Sequence, residues 1–139
     1  MLYVIDASVA VKWLLPEPLS DRADRLLQAF RRGRLRLVAP DLLIPEVGNA
    51  LWKRSVRIGE ITFDEARLQY RRLLGLRLPL VASSSLATAA LQLAKQHAHP
   101  IYDAFYIALA VRRRCDLVTA DEALLNKLRS PMLRWLGSV

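Results

Sequence analysis

The chain has 139 residues, 53% of them hydrophobic, which is enough to bury one core, and we expect a single domain over residues 1–139. This composition excludes an intrinsically disordered protein, and the single cysteine, Cys115, excludes an internal disulfide and a cysteine-based metal cage. No apolar run approaches the ~20 residues that a bilayer requires, and the first residues do not resemble a signal peptide, so we expect no membrane association and a cytoplasmic location.

In the first half of the chain, short apolar segments alternate with helical patterns. The predicted elements are a strand over residues 2–5, a helix capped by Ser8, a helix capped by Asp21, a strand over residues 35–39, a helix capped by Asp41 and a helix over residues 62–74. The run at 2–5 has no polar face, which indicates a strand buried on both sides. Thr62 and Glu65 form a capping box.

The second half continues the alternation. Its predicted elements are a strand over residues 78–81, a helix from Ser85 to before Pro100, a helix over residues 101–114, a strand over residues 116–120, a helix over residues 122–129 capped by Asp121 and an edge strand over residues 132–136. Strands that alternate with helices are typical of an α/β domain built around a parallel sheet. We see no internal repeat or interdomain linker.

Four acidic residues lie at the boundaries of these elements. Asp6 follows the first strand, Asp121 follows the strand over residues 116–120, and Glu46 and Asp103 lie near the starts of helices. In an open parallel sheet, ligands bind beyond the carboxyl ends of the strands, where the strand order reverses. We therefore expect all four acids to meet in one crevice there.

Such a cluster predicts a metal site. Two carboxylates about 5 Å apart repel by roughly 3 kcal/mol at an effective dielectric constant near 20, and a divalent cation removes that conflict. Because all the donors are oxygens, Mg²⁺ or Mn²⁺ fits better than Zn²⁺, and Mg²⁺ takes only one or two carboxylates directly. The other acids would act through water. A site of this kind suits phosphodiester hydrolysis by a metal-activated water.

Three polar residues are expected to support the acids. Ser8 and Thr119 each lie two residues from a carboxylate, and Asn49 lies one turn after Glu46 on the same helix face. Each could donate a hydrogen bond to a ligand oxygen or a water. Taken singly, every one of the four acids could instead be a helix cap or could complement a helix dipole, and only the combination favours a metal site.

Charge indicates the ligand. The chain carries 21 Lys and Arg against 13 Asp and Glu, a net charge of +8, and setting the four acids aside leaves only nine acidic residues on the rest of the surface. A basic surface around an acidic crevice favours nucleic acid. Three basic runs are candidate contacts for an RNA backbone, although each could be no more than a solvated face: residues 31–36, 71–72 and 112–114.

Two tryptophans and two histidines are further candidates for a functional role. Trp13 and Trp52 could stack on a base, but packing in the core or in a dimer interface is favoured. His97 and His99 precede Asp103 and could suggest a metal-free ribonuclease. That hypothesis is disfavoured because it gives the four carboxylates no role.

The sequence resembles PIN-domain nucleases. The resemblance rests on four segments that span nearly the whole chain: Val4 to Val9, Pro45 to Leu51, Tyr102 to Ala110 and Leu117 to Asp121. Their order and spacing are similar to those of the VapC toxins of type II toxin–antitoxin systems. The family resemblance implies a PIN-like three-layer α/β/α sandwich around a central parallel sheet.

The resemblance also implies an activity and partners. It implies a Mg²⁺- or Mn²⁺-dependent endoribonuclease toxin that forms homodimers and is inhibited by a small VapB-like antitoxin. Carried onto this chain, the catalytic acids are Asp6, Glu46, Asp103 and Asp121. Asp6 and Asp103 would be direct metal ligands, and Glu46 and Asp121 would act directly or through water.

Two alternatives remain open at this stage. One is a catalytically silent PIN-like module that binds RNA or protein, and the other is a PIN nuclease that acts in RNA processing rather than as a toxin.

Overall fold

The computed structural model describes residues 1–139. The five strands are β1 (Leu2–Ile5), β2 (Arg36–Pro40), β3 (Leu80–Val81), β4 (Asp116–Thr119) and β5 (Leu133–Trp135). The seven α-helices are α1 (Ala7–Leu14), α2 (Ser20–Arg31), α3 (Leu43–Trp52), α4 (Phe63–Gly75), α5 (Ala87–His97), α6 (Ile101–Arg113) and α7 (Glu122–Leu128). The alternation of strands and helices predicted from the sequence is confirmed.

All five strands are parallel and lie in the order β3-β2-β1-β4-β5. The chain lays down β1, β2 and β3 toward one side, then returns to place β4 and β5 on the other side of β1. The strand order therefore reverses between β1 and β4, where Val4 is in register with Leu117. The predicted edge position of β5 is correct.

Helices cover the sheet, so its central strands are buried. Val4 and Ile5 in β1 and Leu117 and Val118 in β4 have no exposed surface. Helix α6 contacts β1, β2 and β4 and carries α5, while α1 contacts α2, α3 and α4. The α/β sandwich expected from the family resemblance is confirmed. None of the helices is both long enough and apolar enough to cross a bilayer.

Three predicted helix caps are wrong. Ser8 lies inside the first turn of α1, because Asp6 caps that helix by accepting a hydrogen bond from the Val9 amide. Asp21 lies in the first turn of α2, since Leu19 precedes the helix with a left-handed φ of 71°. Asp41 does not cap α3, because its carboxylate instead accepts hydrogen bonds from the amide and hydroxyl of Ser83.

Two other caps are confirmed. Thr62 accepts a hydrogen bond from the Glu65 amide at the start of α4, and Asp121 accepts one from the Leu124 amide at the start of α7. A π-helical turn, Lys53–Arg57, extends α3 and was not predicted.

Trp13 and Trp52 lie in different environments. Trp13 is buried and donates a hydrogen bond from Nε1 to the Ala23 carbonyl at 2.8 Å, as expected for a core residue. Trp52 is 49% exposed at the end of α3, so it is not a core residue.

Candidate functional site at the carboxyl edge of the sheet

Asp6 lies at the reversal of the strand order, between the end of β1 and the start of α1. Its side chain is only 6% exposed, because α1 begins directly above the strand. One carboxylate oxygen, Oδ1, accepts hydrogen bonds from the Ser8 hydroxyl at 2.5 Å and the Val9 amide at 3.3 Å. The other, Oδ2, accepts one from the Thr119 hydroxyl at 2.5 Å. The carboxylate is therefore held in a fixed orientation.

Burial raises the pKa of Asp6 to about 6, even though the hydrogen bonds from Ser8, Thr119 and Val9 lower it. The negative charge of Asp103 raises this pKa further. A carboxylate in this position is costly to ionise because no Lys or Arg forms an ion pair with it. A bound cation would therefore stabilise the ionised form of Asp6.

Ser8 and Thr119 join Asp6 to the end of β4. The Ser8 hydroxyl oxygen accepts a hydrogen bond from the Ala120 amide at 2.9 Å, and that of Thr119 accepts one from the Asp121 amide at 3.1 Å. Each hydroxyl donates to Asp6 and accepts from the backbone after β4. These two residues were expected to contact a ligand, but in the structure their protons are committed to Asp6.

Asp121 lies at the edge of this network. Its side chain is exposed and caps α7, where Oδ1 accepts a hydrogen bond from the Leu124 amide at 3.2 Å. It lines a cleft of about 720 Å³ together with Ser8 and Lys12. Asp121 is therefore near the Asp6 network but serves a structural role in the helix as well.

Glu46 reaches the site from the first turn of α3. Its Oε1 accepts a hydrogen bond from the hydroxyl of Tyr106 at 2.5 Å, and Tyr106 is fully buried in α6. Burial raises the pKa of Glu46, the Tyr106 hydrogen bond lowers it, and the charge of Asp103 raises it. Burial, reinforced by the charge of Glu46, also raises the pKa of Tyr106, so this hydroxyl remains protonated and remains a donor.

Asp103 lies in the first turn of α6, one turn before Tyr106. Its Oδ2 is 2.6 Å from Nε2 of His99, which follows α5. The other ring nitrogen of His99, Nδ1, is buried without a hydrogen-bond partner. His99 is therefore a site residue whose role was not predicted, because it was considered only together with His97 as the basis of a metal-free ribonuclease.

Tyr106 is the second residue that the sequence analysis missed. A tyrosine within an apolar helix gives no sign of its partner, and only the packing of α6 beside α3 brings its hydroxyl to Glu46. The spacing of Asp103 and Tyr106 at i and i+3 was a usable signal, since it places both on one face of α6.

The structure connects three of the acids electrostatically. The charge of Asp103 raises the pKa of both Asp6 and Glu46. Asp121 is connected to Asp6 only through Thr119. Asn49 is exposed and lines a separate cleft of about 340 Å³ with Glu46 and Tyr102.

The donors present are compatible with a divalent cation. No group of three or more His, Cys, Asp or Glu side chains is arranged to hold a metal ion by itself. The acids are all oxygen donors, and none of them forms an ion pair with Lys or Arg. An ion that takes one or two carboxylates and keeps several waters suits this arrangement, which is the usual behaviour of Mg²⁺.

The chain is similar to known proteins over most of its length. The sequence profile described as PIN domain matches residues 3–129. Ribonuclease VapC3 of Pyrobaculum aerophilum is 33% identical over 129 residues, which are 91% of this chain and 95% of that protein.

Two solved structures have the same fold. The crystal structure of PAE2754 from Pyrobaculum aerophilum superposes with a TM-score of 0.72 at 25% identity, covering 99% of this chain and 85% of that one. VapBC2 from Rickettsia felis, bound to a DNA fragment from their promoter, superposes with a TM-score of 0.65 over 97% of both chains. At 15% identity, the second similarity concerns the fold alone.

Proposed function

The chain belongs to the PIN-domain family, and from this premise we propose that it is a Mg²⁺- or Mn²⁺-dependent endoribonuclease toxin of a toxin–antitoxin system. The observation that carries the proposal is Asp6, a buried carboxylate at the reversal of the strand order with no Lys or Arg ion pair in a chain of net charge +8. The similarity to Ribonuclease VapC3 supports RNA as the substrate and the toxin assignment.

Asp6 and Asp103 would hold the ion directly, and Glu46 and Asp121 would act directly or through water. When bound, such an ion supplies Lewis-acid chemistry: it lowers the pKa of an attacking water and neutralises charge that develops on the phosphate. The expected products carry a 3′-hydroxyl and a 5′-phosphate.

The remaining residues would position these acids. Ser8 and Thr119 fix the orientation of the Asp6 carboxylate through their hydrogen bonds, and His99 would do the same for Asp103. The hydroxyl of Tyr106 stays protonated and holds Glu46 in place by donating a hydrogen bond to its carboxylate. Because these donors are already in place, the site needs little reorganisation during the reaction.

Asn49 is free for a ligand. Its side chain is exposed beside Glu46 and makes no hydrogen bond in the protein, in contrast to Ser8 and Thr119. We assign it to a hydrogen bond with the substrate.

We also propose a VapB-like antitoxin and a homodimer. Support for the antitoxin comes from the similarity in fold to VapBC2. Either partner would cover apolar surface that this chain leaves exposed between α3 and α4, where Trp52 is 49% and Phe63 is 61% exposed. A single domain and a cytoplasmic location complete the proposal.

The test combines metal binding and cleavage. Calorimetric titration with Mn²⁺ should show binding to the natural chain and at least tenfold weaker binding to Asp6→Asn and Asp103→Asn. The natural chain should cut a mixed RNA pool with Mn²⁺ or Mg²⁺ and not with chelator. Undiminished binding and cleavage by both variants would overturn the proposal.

The rival function is a PIN-like module that binds RNA without cutting it. One observation favours it, namely that no three potential ligands are arranged to hold a metal by themselves. In the same assay this module would retain RNA on a filter and yield no products with either ion.

A further inference from the structure

A second charged region lies at the opposite edge of the sheet, where the strands begin. A cleft of about 450 Å³ there is lined by four arginines: Arg36, Arg113, Arg114 and Arg134. They come from three distant parts of the chain. Arg36 begins β2, Arg113 and Arg114 end α6, and Arg134 lies in β5. The parallel sheet brings these four positions together at the edge where its strands begin. We call this region the arginine cleft.

Most of the positive charge in the arginine cleft is uncompensated. Asp116 is its only acidic lining residue, and Arg134 occupies it with two hydrogen bonds to Oδ2, at 2.9 Å from Nε and 2.5 Å from Nη2. Arg134 is further fixed by the ring of Tyr3, whose centroid lies 5.9 Å from its guanidinium carbon. This leaves the charges of the other three arginines without a counterion in the cleft.

The side chains of Arg36, Arg113 and Arg114 are exposed and make no hydrogen bond or ion pair with the protein. In contrast, Arg54 pairs with two glutamates, and Arg25 and Arg67 each pair with an aspartate. Each guanidinium offers five N–H donors in a planar fork that matches the oxygens of a phosphate. The free donors therefore suit an anion that can span several guanidinium groups.

Helix capping alone does not account for this arrangement. Arg113 and Arg114 lie at the end of α6, where positive charge complements the helix dipole. Arg36 has no such role, because it begins β2, where it is in register with Leu2 of the adjacent strand β1. Its presence beside two other arginines adds repulsion that an anion would relieve.

We propose that the arginine cleft binds backbone phosphates of single-stranded RNA that extends from the acidic edge. This inference rests on the proposed function for its ligand. Asp103 and Arg113 are ten residues apart in α6, which corresponds to about 15 Å at 1.5 Å per residue. At about 3.4 Å per nucleotide in a stacked strand, roughly five nucleotides bridge that distance. Longer RNA can thus reach both edges, and RNA of about five nucleotides cannot occupy both fully.

The test is the salt dependence of RNA binding, measured by fluorescence anisotropy with chelator present so that no cleavage occurs. The probe is a labelled oligouridylate of about 25 nucleotides, and each phosphate contact contributes about 0.7 to the slope of log affinity against log salt. The triple variant Arg36→Gln, Arg113→Gln, Arg114→Gln should lower that slope by about 2. The single variant Arg36→Gln should lower it by about 0.7, which keeps the test valid if the triple variant folds poorly.

A matched control removes the same charge elsewhere. The variant Lys53→Gln, Arg57→Gln, Arg77→Gln changes three exposed cations that lie outside the cleft and outside the three basic runs, and it should lower the slope by less than about 0.5. An equal fall in both triple variants would show that only the overall charge matters and would overturn the proposal. The proposal would also be overturned if the cleft variant lost as much affinity for a probe of about five nucleotides as for the probe of about 25 nucleotides.

Two further results separate this inference from its rivals. If the cleft variant loses affinity for polyglutamate as strongly as for RNA, the cleft takes acidic polymers in general and the RNA assignment is wrong. If the slopes differ as expected but the natural chain cuts no RNA with any metal, the proposed nuclease fails while the RNA-binding cleft stands.

Discussion

The two edges of the parallel sheet carry opposite charges, and both are incompletely neutralised. At the carboxyl edge, Asp6, Glu46 and Asp103 have no Lys or Arg partner, and at the amino edge three arginines have no carboxylate. Helix α6 connects them, with Asp103 in its first turn and Arg113 at its end. The negative charge of Asp103 and the positive charge of Arg113 each complement the dipole of that helix.

The edges differ in how their charges are held. Each of the three acids is fixed by a buried or half-buried partner, namely Ser8 and Thr119 for Asp6, Tyr106 for Glu46 and His99 for Asp103. The three free arginines are exposed and have no protein partner. A fixed group can support chemistry that depends on geometry, while a mobile cation contributes mainly long-range attraction. Substitutions at the two edges should therefore affect different measurements.

The largest effect is expected from Asp6→Asn. This change keeps the shape of the side chain and removes the charge that an ion requires, so cleavage of RNA should fall by about a thousandfold or more. Steady-state cleavage of a labelled RNA provides the measurement. The matched control is Asp116→Asn at the amino edge, which should cut at nearly the natural rate. Similar losses in both variants would contradict a special role for the carboxyl edge.

The second expected effect concerns stability against pH without metal. The pKa of Asp6 is raised to about 6 from 3.8, so the folded state binds this proton more tightly than the unfolded state does. Its contribution to stability is therefore full below pH 3.8 and is lost as the pH rises through 6. A shift of this size corresponds to a loss of about 3 kcal/mol in the free energy of unfolding by neutral pH.

Chemical unfolding of the chelated protein at pH 4, 5, 6 and 7 measures this dependence. Asp6→Asn should lack that part of the pH dependence and should be more stable than the natural chain at pH 7. Saturating Mn²⁺ should stabilise the natural chain and have little effect on the variant. Parallel pH profiles for the two chains would contradict the assignment to Asp6.

Thr119→Val should have a smaller effect on the same site. Thr119 is fully buried and donates to Oδ2 of Asp6, so valine leaves that oxygen without its partner. We expect a loss of about 1–3 kcal/mol in unfolding free energy and of roughly ten- to a hundredfold in Mn²⁺ affinity. Thr119→Ser restores the donor and should recover the metal affinity. If serine fails to do so, packing rather than the hydrogen bond is responsible.

The sequence predicts the acidic edge better than the basic edge. Asp6 and Asp121 directly follow strands, and parallel topology alone places the ends of adjacent strands together. The order of the strands and its reversal beside Asp6 were not predicted and come from the structure. The caps assigned to Ser8, Asp21 and Asp41 are wrong because several polar residues near each helix start can cap, and the choice depends on local backbone angles.

Residues that act through tertiary packing escape sequence reasoning. Tyr106 lies in an apolar stretch of α6 and meets Glu46 from α3, 60 positions away. The basic runs are visible in the sequence, but Arg36 and Arg113 belong to different runs, and Arg134 belongs to none. Their common cleft depends on where β2, β4 and β5 begin in space.

Tyr106→Phe tests the hydrogen bond to Glu46 at the carboxyl edge. Removing the hydroxyl withdraws a hydrogen bond that lowers the pKa of Glu46, so that this pKa should rise further. We expect cleavage at pH 7 to fall about tenfold, with partial recovery at higher pH as Glu46 ionises. The pH profile of cleavage gives the measurement. Recovery should be absent in Glu46→Gln, Tyr106→Phe, which has no carboxylate left to ionise.

The smallest effect is expected at the amino edge, from Arg113→Gln. An exposed cation on a phosphate contributes about 0.5 kcal/mol, so the KM for RNA of about 25 nucleotides should rise roughly twofold while kcat is unchanged. For RNA of about five nucleotides, neither constant should change. A fall in kcat would mean that α6 transmits the substitution to Asp103 at its other end, and the two edges would then not act independently. We expect an unchanged kcat and a length-dependent KM, because the acids at the carboxyl edge are held in a fixed geometry and the arginines at the amino edge are not.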